Sequence, residues 1–310
     1  MTEQIQSRNV VAAIPNGGDS RSRRQTSNLR KNLFDYSGLI PFFVFATLFI
    51  GGPTFAVIFN AFLSNEGNWT LANVQLAFTD VYYLSLLSSL KLALASASTG
   101  VIFGLAIAYG VSISGKPKLQ KIVSTASGVF ANTGGVPLAF FFIAAIGNYG
   151  LVTIGLQKVG IDIYSGSFTL FGFSGLVLVY LYFQIPLMII VVYPALEGIK
   201  SEWREAAVNL GASKALYWRY IGIPILTPAV IGSFFLLFAS AFAAYATANV
   251  LTQGTIPLLP LQVGTLVSGD VVADQANVGF AMGLVMIVVV GIAMTFYTYL
   301  DRRASRWRKR

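Results

Sequence analysis

The sequence predicts an all-α polytopic membrane protein that crosses the bilayer six times, with both termini on the cytoplasmic side. Composition is the first reason: 55% of the 310 residues are hydrophobic, only 11% are charged, and the mean hydropathy is +0.69. That is too apolar for a soluble domain. The second is the grouping of apolar residues into runs of spanning length, and the third is the side on which the basic residues fall.

Residues 1–35, with "IPNGGDSRSRRQTSNLRK", are polar, basic and without an apolar run of signal-peptide length, and read as a flexible cytoplasmic tail lying against anionic lipid. A spanning helix needs about 20 mostly apolar residues. Such runs extend from Leu39 to Phe62, Leu84 to Val111, Ile122 to Ile146, Leu170 to Pro194, Ile225 to Leu251 and Val278 to Leu300. The third contains "ANTGGVPLAFF", with Asn132, Gly134, Gly135 and Pro137 inside it. A helix broken there must be sheltered by protein or line a wet cavity, since lipid cannot satisfy the freed backbone groups.

Basic residues precede the first span at Arg8, Arg21, Arg23, Arg24, Arg30 and Lys31, and fall between the second and third at Lys116, Lys118 and Lys121. They recur at Lys200, Arg204, Lys214 and Arg219 and close the chain from Arg302 to Arg310. The alternate connections carry Glu66, Asp80, Asp162, Asp270 and Asp274, with Lys158 as their one base. The positive-inside rule puts the first set in the cytoplasm. Because the net charge of +9 is confined to ends and short loops, it reads as topology and not as a nucleic-acid surface. Cysteine and histidine are both absent. Disulfides, thiolate chemistry and the usual zinc and haem ligands are therefore excluded, and no catalytic or metal site is expected.

One cytoplasmic connection is unlike a simple loop. "SEWREAAVNLGASKALYWRYIGIP", Ser201 to Pro224, reads as two short helices. Ser201 is expected to cap the first, with Glu202 and Glu205 at its positive end. Trp203, Ala206, Ala207 and Leu210 share one face, while Glu202, Glu205 and Asn209 share another. Gly211 is the expected stop and Ser213 the cap of the second helix, which runs to Pro224. By pattern alone two readings stand: a hairpin lying among lipid headgroups, anchored by Tyr217, Trp218 and Tyr220, or a docking element for a cytoplasmic partner.

The spacing Glu205-Ala206-Ala207, then three residues and Gly211, then nine residues and Ile221-Gly222-Ile223-Pro224, resembles the EAA motif of binding-protein-dependent ABC importer permeases. The one departure is Ile223 where leucine is usual. The resemblance covers roughly Tyr82 to Leu300. It implies a type I importer transmembrane domain with a core at 82–300, an additional first span and outer loop at 36–81, and a second basic tail at 301–310. It also implies that Glu205, Ala206, Ala207, Gly211, Ile221 and Pro224 couple the chain to an ATP-hydrolysing subunit. Glu205 would pair with a base or cap a helix at the ATPase surface, the alanines would permit close packing, Gly211 would turn the chain, and Pro224 would fix where the next span begins. The implied partners are a dimer of ATP-binding subunits, which would hold ATP and magnesium, a second permease chain, identical or homologous, and an extracytoplasmic substrate-binding protein. The implied place is the bacterial cytoplasmic (inner) membrane. "GVPLAF", "YFQIPLM" and "FASAFAAYATANVL" are similar to the branch that serves spermidine/putrescine, ferric iron and phosphonate.

No phosphate-binding GxxxxGK[ST] occurs, so ATP would be bound by another chain and this one would hold no cofactor. Inside the membrane the one ionisable residue away from the span ends is Lys91. It either snorkels to the interface or draws an anionic solute into the path. Asn132, Thr133, Gln184, Tyr245, Thr247 and Asn249 are candidate path-lining residues, and helix-to-helix hydrogen bonding is the more ordinary role of each. A self-sufficient carrier or membrane enzyme is the competing class. It would be expected to show a central carboxylate, a histidine or a nucleophile with its base, and none stands out.

Overall fold

The computed structural model describes residues 39–268 and 275–308, which are helical apart from connections and one isolated bridge between Leu63 and Trp69. The tail at 1–35, Asp270, Asp274, Lys309 and Arg310 lie outside the described residues. The chain divides into two compact units at Ala56 and Val57. The first holds most of α1 (Ile40–Ala61), whose Thr47–Gly51 turn is a π-helix. Within it Phe45 stacks on Phe49, with ring centroids 4.6 Å apart.

The second unit begins with the last turn of α1 and α2 (Ala72–Leu76), held together by Asn73, which donates to the carbonyls of Leu63 at 2.7 Å and Ala61 at 3.4 Å. Helix α3 (Asp80–Ile113) has 34 residues, about 50 Å at 1.5 Å per residue, and so outreaches the hydrocarbon core. Its buried stripe is made of small residues: Ser89, Ala93, Ser96, Ala97, Gly100, Gly104 and Ala108. Between membrane helices small residues gain contact by letting backbones approach. A β-carbon on Gly104 would meet Met188 Cγ at 2.7 Å and the Ile185 carbonyl at 3.0 Å. The facing element is α7 (Phe173–Glu197), which keeps Pro186 and Pro194 inside a continuous helix.

Between them the third expected span is divided. Helix α4 (Pro117–Asn132) packs along α7 and ends at Thr133, and α5 (Val136–Ile146) starts after Gly135, whose φ of 77° and ψ of −152° suit glycine alone. After a second interruption at Gly147–Gly150 comes α6 (Leu151–Lys158). The run long and apolar enough to cross a membrane is therefore Val136–Lys158, not Ile122–Ile146. Tyr164 ties the following loop to α5 by donating to the Ile146 carbonyl at 2.6 Å, and its burial raises the hydroxyl above its ordinary range.

Next come α8 (Ser201–Asn209), α9 (Lys214–Tyr217), a π-helical turn at Trp218–Gly222 and α10 (Ile223–Phe242). The expected span to Leu251 stops at Phe242. Ala243–Tyr245 is unwound and α11 (Ala246–Thr252) is a separate short helix. Helix α12 (Leu259–Ser268) packs on α3 and on α13 (Ala276–Arg308), and its first N–H, at Leu259, is taken by the buried Ser89 hydroxyl at 2.7 Å. The expected tail from residue 301 continues α13 as helix to Arg308. Among the described residues six helices have the length and composition to cross a membrane, and α3, α7, α10 and α13 bury the core around Tyr180, Met188, Leu237 and Met282.

Candidate functional site

The Ser201–Pro224 hairpin forms as the periodicity predicts, with one exception at its start. Lys200 occupies the cap position and supplies no side-chain bond, while Ser201 is already the first helical residue. The backbone before Ser201 is extended at Lys200, so the turn that would let a serine hydroxyl reach forward lies one residue too early for it. The other end closes through hydrogen bonds of the Schellman type: the Gly211 N–H reaches the Val208 carbonyl and the Ala212 N–H the Ala207 carbonyl, both at 2.9 Å. This geometry places Gly211 at φ +78°, with open space where a β-carbon would point. Ser213 caps α9, accepting from the Leu216 N–H at 3.3 Å.

Trp203, Ala206, Ala207 and Leu210 line one open apolar groove of about 520 Å³ together with Tyr220 and Ile221. Leu210 is 87% exposed at its lip. Glu205 is exposed on the neighbouring face, and its carboxylate makes no ion pair with any described residue. The hairpin thus presents a bare leucine, a glycine turn and a carboxylate. Of the three expected headgroup anchors, Tyr217 is buried and Trp218 packs its ring edge-on to Tyr109 at 5.4 Å, leaving Tyr220 outward-facing. The hairpin is fastened inward to α3 by the Trp218 ring on Tyr109.

The join to α10 is a widened turn. Pro224 has no N–H to give, and the Ile223 N–H reaches back five residues to the Trp218 carbonyl. Pro224 stands at the second position of α10, after the π turn, within one unbroken helical run from Lys214 to Phe242.

The polar residues expected along a path divide into two groups. Thr247 is buried and clasps the α4–α5 break, its hydroxyl accepting from the Gly135 N–H at 2.9 Å and donating to the Gly135 carbonyl at 3.1 Å. The unwound segment Ala243–Tyr245 is close by: Ala244 accepts from the buried Tyr180 hydroxyl at 3.3 Å, and Ala246 Cβ is 3.8 Å from where a Gly135 β-carbon would be. Two helix breaks from distant parts of the chain therefore shelter one another. Asn132 and Thr133 bond back to the Gly128 and Val129 carbonyls of their own helix. Tyr245 and Asn249 are exposed, and the Tyr245 ring lies over Gly264 of α12, where a β-carbon would meet its Cε2 at 2.9 Å.

Gln184 and Lys91 stand apart from that group. Gln184 is fully buried between α7 and α3, donating to Ser96 Oγ at 3.1 Å, with its Oε1 unpartnered among the described residues. Lys91 is exposed on α3, on the face opposite the small-residue stripe. Sequence reasoning missed Tyr182, which meets Phe130, Phe141 and Phe142 across the break with centroids 5.5, 6.4 and 5.8 Å away. Its one trace was "YFQIPLM", where an aromatic pair precedes the helix-internal proline.

A family model described as the binding-protein-dependent transport system inner membrane component matches residues 100–306. The spermidine/putrescine transport system permease protein PotC of Haemophilus influenzae is 28% identical over 134 residues, 43% of this chain and 50% of that one. The matched stretch thus spans about half the length of that relative. The thiamine transport system permease protein ThiP of Escherichia coli is 26% identical over 170 residues, 54% of this chain and 30% of that one. Among solved structures, a chain of a bacterial alginate ABC transporter, in complex with its alginate pentasaccharide-bound periplasmic protein, superposes with a TM-score of 0.68. It is 16% identical, with 89% of this chain and 96% of that one covered, and the likeness is one of fold.

Proposed function

Because the chain belongs to the family of binding-protein-dependent transport system inner membrane components, we propose that it is the permease subunit of an ATP-driven importer, forming with a second permease chain the path by which a small solute enters the cell. The observation that carries this is the hairpin: an exposed Leu210 and Glu205 flank an open glycine turn at Gly211, on an element fastened by Trp218 to the helix that continues into the membrane. A push on such an element is delivered directly to α3 and α10. The pusher is a dimer of ATP-binding subunits, which holds ATP and magnesium. Solute is delivered on the opposite side by a substrate-binding protein, and the basic loops, the hairpin and both termini face the cytoplasm.

The relatives support a class of solute more than a single one. PotC is named for spermidine and putrescine and ThiP for thiamine, all organic cations, and a polyamine is the first ligand to try. No carboxylate lies in the middle of a span, so such a cation would pass along carbonyls and aromatic faces such as Tyr182, Phe130 and Phe142. Phosphonate is the anionic alternative.

The test is uptake into vesicles carrying this chain with its ATP-binding, second permease and solute-binding partners. Uptake should require ATP, and Glu205→Lys or Gly211→Leu should abolish it and reduce co-purification of the ATP-binding subunit while membrane insertion is unchanged. Normal association and normal solute-stimulated ATP hydrolysis in both variants would sink the proposal.

A further inference from the structure

At the hairpin end of the molecule two cavities of opposite character meet. One is an apolar crevice of about 680 Å³ between α3 and α10, walled by Ile102, Leu105, Ile223, Leu226 and Ile231, with Thr227 and Tyr109 as its hydroxyl-bearing residues. The other is a groove of about 470 Å³ that holds Lys200, Arg204 and Lys214 beside Ser112. They share three walls: Tyr109, Leu196 and Trp218. Lys200, Arg204 and Lys214 are exposed, and no carboxylate lines the groove. Three cations therefore converge with no counter-charge, directly beyond the mouth of a greasy slot open to the side of the helix bundle.

An occupant that satisfies both halves must be long, apolar at one end and anionic at the other. We propose that this composite cavity is a specific site for an anionic phospholipid, with one acyl chain in the α3–α10 crevice and the phosphate of the headgroup on Lys200, Arg204 and Lys214. On the orientation proposed above, the site lies at the cytoplasmic leaflet. Basic pockets between membrane helices on that side suit such headgroups, and each cation near the surface favours an anionic lipid by a factor of about 5. Arg204 offers the planar, forked donor set that a phosphate takes in two bonds. Trp218 separates the two halves and also anchors the hairpin to Tyr109. Lipid occupancy therefore bears on how firmly the hairpin is seated.

The position of Trp218 supplies the experiment. In a full chain carrying Trp69→Phe, Trp203→Phe and Trp307→Phe, Trp218 is the remaining tryptophan of four. It is reconstituted in vesicles with bromine on the acyl chains of either phosphatidylglycerol or phosphatidylcholine. Brominated phosphatidylglycerol should quench Trp218 at a mole fraction at least about fivefold lower than brominated phosphatidylcholine. The preference should vanish in Lys200→Gln/Arg204→Gln/Lys214→Gln, and survive in Lys200→Arg/Lys214→Arg and in Lys118→Gln/Lys121→Gln, which removes charge outside the groove. Equal quenching by the two lipids would overturn the proposal, as would equal loss of preference in the Lys118/Lys121 variant, the mark of general surface attraction. Quenching by neither lipid would mean that a second protein chain fills the crevice, and would overturn it too.

Discussion

Trp218 lies with its six-membered ring where a side chain on Gly222 would have to be: a β-carbon there would meet Cζ3 at 2.7 Å. The same ring packs against Tyr109 of α3. Glycine at the position before Ile223 is thus what lets the π turn carry a tryptophan inward and lock the hairpin to the membrane core. Gly222→Val should push the ring off Tyr109 and cost about 1–3 kcal/mol through overpacking. The thermal unfolding midpoint in detergent should fall, and solute-stimulated ATP hydrolysis should uncouple from uptake. Gly222→Val combined with Trp218→Ala should lose less than the sum of the two single losses and should not recover the coupling. Unchanged coupling in both would show that the ring does not transmit motion.

The two helix breaks depend on one hydroxyl. Thr247→Val keeps the shape but leaves the Gly135 N–H without its partner, at about 1–3 kcal/mol, while the Gly135 carbonyl keeps the Ala139 N–H at 3.3 Å. Gly135→Ala, at a backbone conformation foreign to a side chain, should cost about 1–3 kcal/mol by itself. Thr247→Ser, which restores the hydroxyl, should recover most of the first loss. Unfolding midpoints of the three variants against the parent decide it, and a Thr247→Val protein as stable as the parent would remove the clasp from the account.

Gly104 and Met188 set the spacing of α3 and α7. Gly104→Ala should lower the unfolding midpoint, because the new methyl meets Met188 Cγ and the Ile185 carbonyl. Met188→Ala makes room on one side, so the double variant should be more stable than the sum of the two single losses. A positive coupling of about 0.5–3 kcal/mol is expected for residues in direct contact. Strict additivity would place the two helices farther apart.

Orientation is open to direct labelling, since the chain has no native cysteine. Ser201→Cys at the hairpin and Glu66→Cys, at an exposed residue between α1 and α2, should react with an impermeant thiol reagent from opposite sides of a sealed membrane. Glu66→Cys should label from outside. Labelling of both from one side would overturn the proposed topology.

What the sequence determined by itself is whatever neighbours within a turn or two decide. Apolar run length announced the crossing helices, and helical spacing placed Trp203, Ala206, Ala207 and Leu210 on one groove wall. Glycine's tolerance of positive φ announced the stop at Gly211, and Ser213 was a visible cap. The stripe Ser89-Ala93-Ser96-Gly100-Gly104-Ala108 is equally legible in its small residues, beside a louder apolar signal. Tertiary structure alone decided the partners. Thr247 lies 112 residues from Gly135, Ser89 lies 170 from Leu259, and Gln184 finds Ser96 across 88. A polar side chain in a span advertises only that it must be satisfied. Whether it lines a path, caps a distant helix or holds a break closed depends on which backbone group packing brings within 3 Å. For that reason the sequence leaves Thr247 and Gln184 open between path lining and helix-to-helix bonding, and in the structure both are buried and hydrogen-bonded to another helix or its break. Helix ends followed the same logic. Ala243–Tyr245 could unwind because the Tyr180 hydroxyl, from another helix, accepts the burden of a freed carbonyl.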